Sequence, residues 1–171
     1  MSNALPPKPR VVSPKVRICV IASKYNEQFT DSLVENAVDE LGQLVPHGRI
    51  DLVRVPGAFE IPVMAANVLR HDPPACLIAL GLIIRGSTSH ADLIGQSVTQ
   101  ALQDLAVETM VPVIHEVLLV EDEKQAYARC IGPKLNRGRE AARAAATMID
   151  VLHELNRVTL RGASLKKTPY A

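Results

Sequence analysis

The sequence predicts an α/β fold: one domain built as a three-layer, doubly wound parallel sheet. Three observations carry this. Short runs rich in β-branched residues alternate with longer segments of helical periodicity, strand then helix, four times over. The third run, CLIALGLII, is almost unbroken in apolar residues, as expected of a strand covered on both faces. A chain of 171 residues, 47% hydrophobic and 22% charged, fits one ordinary globular core.

Each element follows in order. Residues 16–22 (VRICVIA), after Pro14, read as the first strand. Thr30 or Asp31 is expected to cap a helix in which Leu33, Val34, Ala37, Val38 and Leu41 recur at helical spacing, with Gly42 marking its end. Residues 49–55 give a second strand despite their charges. Pro56-Gly57 signals a turn. The next helix holds Glu60 and Pro62 in its first turn, where a missing N–H does no harm. Ala65, Ala66, Val68 and Leu69 form its packing face, and His71-Asp72-Pro73-Pro74 breaks it. Residues 76–84 are the third strand and 85–90 (RGSTSH) a polar loop. Residues 91–109 form a long helix with Leu93, Ile94, Val98, Ala101, Leu102 and Leu105 inward. Residues 111–120 are the fourth strand, with Pro112 confined to its start. Helices over about 123–130 and 136–156 close the domain. The expected organisation is a flexible N-terminal arm (1–15), the domain (16–156) and a loose basic tail (157–171). Right-handed crossovers between parallel strands give a flavodoxin-like sheet.

Composition excludes several function classes. A formal net charge of +1 supplies no basic field for nucleic acid, and 3% aromatics with no Trp supply no stacking platform. No apolar run is long enough to span a bilayer, and residues 1–14 lack the apolar stretch of a secretory signal. The three cysteines, Cys19, Cys76 and Cys130, are an odd set and read as free thiols in a reducing, cytoplasmic setting. The five histidines show no metal-ligand spacing, so no metal is expected. Neither a Walker A loop nor a Gly-x-Gly-x-x-Gly fingerprint is present, and no cofactor is expected.

Ligands of such sheets bind beyond the carboxyl ends of the strands. Four segments leave those ends: Lys24-Tyr25-Asn26, Gly57-Ala58-Phe59-Glu60, Gly86-Ser87-Thr88-Ser89-His90, and the chain after Val120. In the third, a glycine permits close backbone approach and hydroxyl residues precede a helix, whose free N–H groups suit an anion such as phosphate. The same residues equally suit plain N-capping. His90 stands at that helix start, where the dipole favours the neutral imidazole a general base requires; a surface or capping histidine is the alternative. Glu60 either complements a helix dipole or accepts hydrogen bonds from a heterocycle or polyol. Arg129 and Arg137 flank the break between the last two helices, as solvated charges or as a phosphate clamp.

Taken in order, the motifs ASKYN (22–26), VPGAFEIP (55–62), GLIIRGSTSH (81–90), ETMVPV (108–113) and NRGREAA (136–142) resemble the lumazine synthase (6,7-dimethyl-8-ribityllumazine synthase) family. The likeness runs from about residue 16 to 154. It implies a cofactor-independent transferase of riboflavin biosynthesis, which condenses 5-amino-6-ribitylaminouracil with 3,4-dihydroxy-2-butanone 4-phosphate and releases water and inorganic phosphate. It also implies roles. Tyr25 stacks on the ring; Asn26, Ala58, Phe59 and Glu60 line the pyrimidine and ribityl pocket; Leu82, Ile83 and Ile84 offer main-chain groups. Gly86, Ser87 and Thr88 hold phosphate with Arg129, and His90 moves protons. Position 115 reaches the ring from a neighbouring subunit, in a homo-oligomer of five subunits or a larger, capsid-like shell, with riboflavin synthase as an implied partner.

The resemblance departs at several places. His115 stands where Phe is usual, Glu116 where Gly is usual, and Ala91 where an aromatic follows the histidine. Arg137 replaces Lys, and Lys124 replaces Glu. These substitutions leave open a non-catalytic flavin- or lumazine-binding protein, or a shell-forming paralogue, on the same scaffold.

Overall fold

The structure, a computed structural model, describes residues 7–9 and 16–160 of the chain. Most of the arm and tail expected from the sequence therefore lie outside the described residues. The elements are β1 (Arg17–Ser23), α1 (Glu27–Leu44), β2 (Arg49–Val55), a 3-10 turn (Ala58–Glu60), α2 (Ile61–His71), β3 (Cys76–Ile84), α3 (His90–Thr109), β4 (Val113–Val120), α4 (Glu123–Cys130) and α5 (Arg137–Leu160).

The four strands form one sheet in the order β2-β1-β3-β4, and every pairing is parallel. Val20 of β1 sits between Leu52 of β2 and Ile78 of β3. Successive side chains point to opposite faces. Ile18, Val20, Ala22, Ile78 and Leu80 pack with residues of α1, α4 and α5. Cys19, Ile21, Leu77 and Ala79 pack with α2 and α3. This is the three-layer arrangement expected.

Residues 49–55 and 76–84 are strands with the expected bounds. Elsewhere the boundaries move for local reasons. α1 starts at Glu27, earlier than a cap at Thr30 or Asp31, because Asn26 adopts the left-handed conformation (φ 60°). Its carbonyl then accepts from the N–H groups of Phe29 (2.9 Å) and Thr30 (3.1 Å). Asparagine tolerates that conformation better than most residues. α1 also runs through Gly42 to Leu44. β4 starts at Val113, not 111: Met110 is left-handed (φ 55°) where α3 ends, and Pro112 has no N–H to give a ladder. On α3, Leu93 is 62% exposed rather than inward; the buried stripe is Ala91, Val98, Leu102 and Leu105. α5 continues to Leu160, beyond the expected end at 156.

The α1–α5 contact is unusually close. Gly138, Ala141, Ala142, Ala145 and Ala146 present little more than backbone to Leu33, Ala37 and Leu41. At its edge Arg143 Nε donates to Glu40 Oε1 at 2.8 Å, with both side chains largely buried. Asn136 fixes the start of α5. Its Oδ1 accepts from Arg139 N at 3.1 Å, and its Nδ2 donates to Cys130 O at 3.0 Å.

Candidate functional site

Because all strands run the same way, the segments after β1, β2 and β3 emerge on one rim, and β1 and β3 are neighbours where the strand order reverses direction. A crevice opens at such a switch point. Here it is a cavity of about 510 Å³ lined by Tyr25, Asn26, Gly57, Ala58, Phe59, Glu60, Leu82, Ile83, Ile84, His90 and Ile94.

Asn26 does two jobs. Its left-handed backbone starts α1, and its Nδ2 donates to Leu82 O across the crevice at 2.9 Å. One main-chain acceptor of β3 is thus engaged, and the wall after β1 is tied to the wall after β3. Glu60 is anchored in the same manner: Gly57 N donates to Glu60 Oε2 at 2.8 Å, across the 3-10 turn that Pro56-Gly57 begins. The turn is held against β1 by Lys24 N and Tyr25 N, which donate to Pro56 O. Tyr25 and Phe59 present rings at the mouth, 68% and 61% exposed. Two aromatic faces beside an anchored carboxylate and an imidazole suit a flat, polar heterocycle.

Gly57, which the sequence places on the rim as part of a turn, and Ile94, which it places inward on α3, also line the cavity. The available signal for Gly57 was its turn with Pro56; what the sequence hides is crowding. A Cβ on Gly57 would lie 2.9 Å from Tyr25 Cδ2 and 3.0 Å from Glu60 Oε2. Tyr25 is exposed and free to swing, so Gly57→Ala is expected to keep the melting temperature and weaken heterocycle binding. Titration of the tyrosine-region signal with ligand, alongside a melt, checks this; unchanged affinity would contradict the packing argument.

The other expected site residues lie apart from that wall. Gly86, Ser87 and Thr88 are exposed in the loop before α3. Arg129, on α4 in the opposite helical layer, donates from Nη1 to Gln125 O at 3.5 Å. Arg137 is buried and paired with Glu140. His115 points to α3. Thr99 Oγ1 lies 2.7 Å from Gly95 O, to which it can donate, and 3.0 Å from His115 Nε2, with which it shares a hydrogen bond. Among the described residues no three His, Cys, Asp or Glu side chains gather to hold a metal ion.

Glu116, on the other face of β4, carries a perturbed charge. Burial pushes its carboxyl up to about 7; the Arg137 guanidinium opposes this and Glu140 adds to it. The folded state therefore holds the proton that the unfolded chain releases near 4.5, and stability falls as pH rises from there through about 7. Burial lowers His115, which gives a slope of opposite sign below 6.5. The difference between Glu116→Gln and the parent isolates the first effect: the variant's advantage in melting temperature should be larger at pH 8 than at pH 5. A constant difference would remove Glu116 from the pH response.

Residues 15–153 match the sequence model of a family described as 6,7-dimethyl-8-ribityllumazine synthase. The chain belongs to that family. A protein of that name from Xanthomonas oryzae pv. oryzae is 38% identical over 143 residues, covering 83% of this chain and 93% of its own length. Another from Xanthomonas campestris pv. campestris is 39% identical over 140 residues, covering 81% and 91%. One from Thermococcus gammatolerans is 36% identical over 142 residues, covering 82% and 90%. Of the residues that the sequence reading set apart from the resemblance, His115 and Glu116 lie on β4 and Arg137 starts α5, away from the cavity wall, and Ala91 is buried in the first turn of α3.

Proposed function

We propose that the chain is a 6,7-dimethyl-8-ribityllumazine synthase, an enzyme of riboflavin biosynthesis that joins 5-amino-6-ribitylaminouracil to 3,4-dihydroxy-2-butanone 4-phosphate with loss of water and phosphate. The observation that carries the reading is one cavity that unites Tyr25, Phe59, Glu60 and His90 from three strand ends, in a chain matched to the family over residues 15–153. The pyrimidine stacks on the aromatic faces and takes main-chain hydrogen bonds from the Leu82–Ile84 segment. Glu60, fixed through one oxygen, accepts from the ribityl hydroxyls. Backbone N–H groups and hydroxyls of Gly86, Ser87 and Thr88 bind phosphate at the positive end of α3. His90, at the head of that helix and in the cavity, carries the protons for imine formation, phosphate elimination and ring closure. Holding two substrates in register lowers the barrier by about 7–11 kcal/mol in favourable cases.

The reading includes a homo-oligomer, pentameric or larger, with the site completed by a neighbour. Two rings left more than half exposed in one chain are what a covering partner would bury. Arg129 and His115, absent from their own chain's cavity wall, then act from the adjacent protomer. The cytoplasm suits its three buried free thiols. Among the described residues no helix is long and apolar enough to cross a membrane. Riboflavin synthase is the expected consumer of the product. Incubation with both substrates, followed by the absorbance and fluorescence of the lumazine, tests the activity. Product formation is expected. Tight riboflavin binding without turnover would instead favour the non-catalytic binder that His115 and Glu116 leave open, and a closed shell without either would favour the structural paralogue.

A further inference from the structure

The loop between β3 and α3 is almost free of internal ties. Gly86 has open space around it. Ser89 caps α3 without a side-chain hydrogen bond, and among the described residues neither Ser87 nor Thr88 makes one. What spans the loop is Arg85. Its N–H donates to Val120 O at 2.9 Å, which extends the β3–β4 ladder by one step. Its guanidinium forks: Nη2 pairs with Asp92 in the first turn of α3, and Nη1 pairs with Glu121 just after β4. Asp92 is two residues beyond His90. One side chain thus bridges from the loop's first end to the helix at its other end, and braces both against the neighbouring strand.

We propose that Arg85 is a positioning residue for the condensation, holding the 86–89 loop and His90 in one relative placement through its paired contacts to Asp92 and Glu121. This rests on the functional reading above, in which that loop binds phosphate and His90 moves protons. The guanidinium offers a rigid planar fork that can hold two carboxylates at once, whereas an ammonium is a point charge without that planar fork. The three side chains are all more than a third exposed, so the network contributes little to folding. Its effect is on geometry: a displacement of about 1 Å between reacting groups can lower a rate by about 10²-fold.

The test uses the assembled full-length enzyme with Arg85→Gln, Arg85→Lys, Asp92→Asn and the Arg85→Gln/Asp92→Asn double variant, with inorganic phosphate as the probe of the loop. Arg85→Gln is expected to lower kcat about 10–10²-fold and weaken inhibition by phosphate, with the KM for the pyrimidine and the melting temperature nearly unchanged. Arg85→Lys should recover part of the loss. Asp92→Asn should shift kcat and phosphate inhibition in the same direction, and the double variant should be no worse than Arg85→Gln, since both act through one contact. If Arg85→Gln does not fold, Asp92→Asn and Glu121→Gln carry the test. Arg85→Gln with kcat and phosphate inhibition within about twofold of the parent, while His90→Ala is inactive, overturns the inference and leaves the functional reading standing. Asp92→Asn without effect also overturns it, by making Arg85 a direct phosphate contact. Full turnover in His90→Ala removes the reading, and the inference with it.

Discussion

Replacing His90 by alanine should lower turnover by about 10²–10⁴-fold, the range that general acid–base catalysis contributes when a positioned side chain carries the proton. His90 is the first residue of α3 and the one imidazole on the cavity wall. Its neighbours there, Glu60 and Asn26, are held by hydrogen bonds to Gly57 N and Leu82 O, so removing the imidazole leaves the rest of the wall in place. Substrate binding should therefore change far less than kcat. A steady-state comparison with both substrates checks the split; a near-normal kcat would falsify the assignment. Mixing supplies a second readout. Arg129 is outside its own chain's cavity, so hybrids assembled from unfolded-and-refolded His90→Ala and Arg129→Ala chains should regain activity that neither parent has. No recovery in confirmed hybrids would mean that a single protomer supplies both residues to each site.

Alanine at Gly138 should be the most damaging small substitution in the described chain. A Cβ there would lie 2.4 Å from Leu33 O, 3.1 Å from Ala37 N and 3.1 Å from Asn36 Cβ. Two of the three obstacles are main chain of α1 and cannot rotate away, so α5 must lift from α1. Overpacking of this kind destabilises by about 1–3 kcal/mol, and more where backbone is the obstacle. At about 2–4 °C per kcal/mol for a chain of this size, the melt should move down by several degrees. Gly42→Ala is the matched control. It also sits in α1, with nothing within 4 Å of its Cβ position, and should stabilise by about 0.5–1 kcal/mol from helix propensity alone. Equal melts for the two variants would rule out the close helix contact.

What the sequence made legible follows from where its signals are local. β2 and β3 have the expected bounds because β-branched runs end at Pro56 and begin after Pro73-Pro74, where chain chemistry alone stops a ladder. The start of α1 was hidden because a left-handed Asn26 has no distinctive neighbour pattern; the pull comes from Leu82 O, far away in sequence. Leu93 reads as inward because it is apolar, yet it falls off the stripe set by Val98, Leu102 and Leu105. The cavity wall was legible since strand order places the ends of β1, β2 and β3 side by side. The placement of Arg129, Arg137 and His115 was not: Arg129 and Arg137 have settled into pairings within their own helices, with Gln125 and Glu140, and His115 reaches across to Thr99 of α3.

The alanine-lined contact of α1 with α5 has a further bearing on how this molecule can change. One side of the sheet is sealed by chain lying almost on chain, where any added volume must separate two helices. The other side, packed by α2 and α3, keeps a cavity of about 510 Å³ at its rim, with the rings of Tyr25 and Phe59 exposed at the mouth. Tolerance to substitution is therefore lopsided, and new ligand preferences have room to arise by drift on the α2–α3 side while the opposite layer stays frozen.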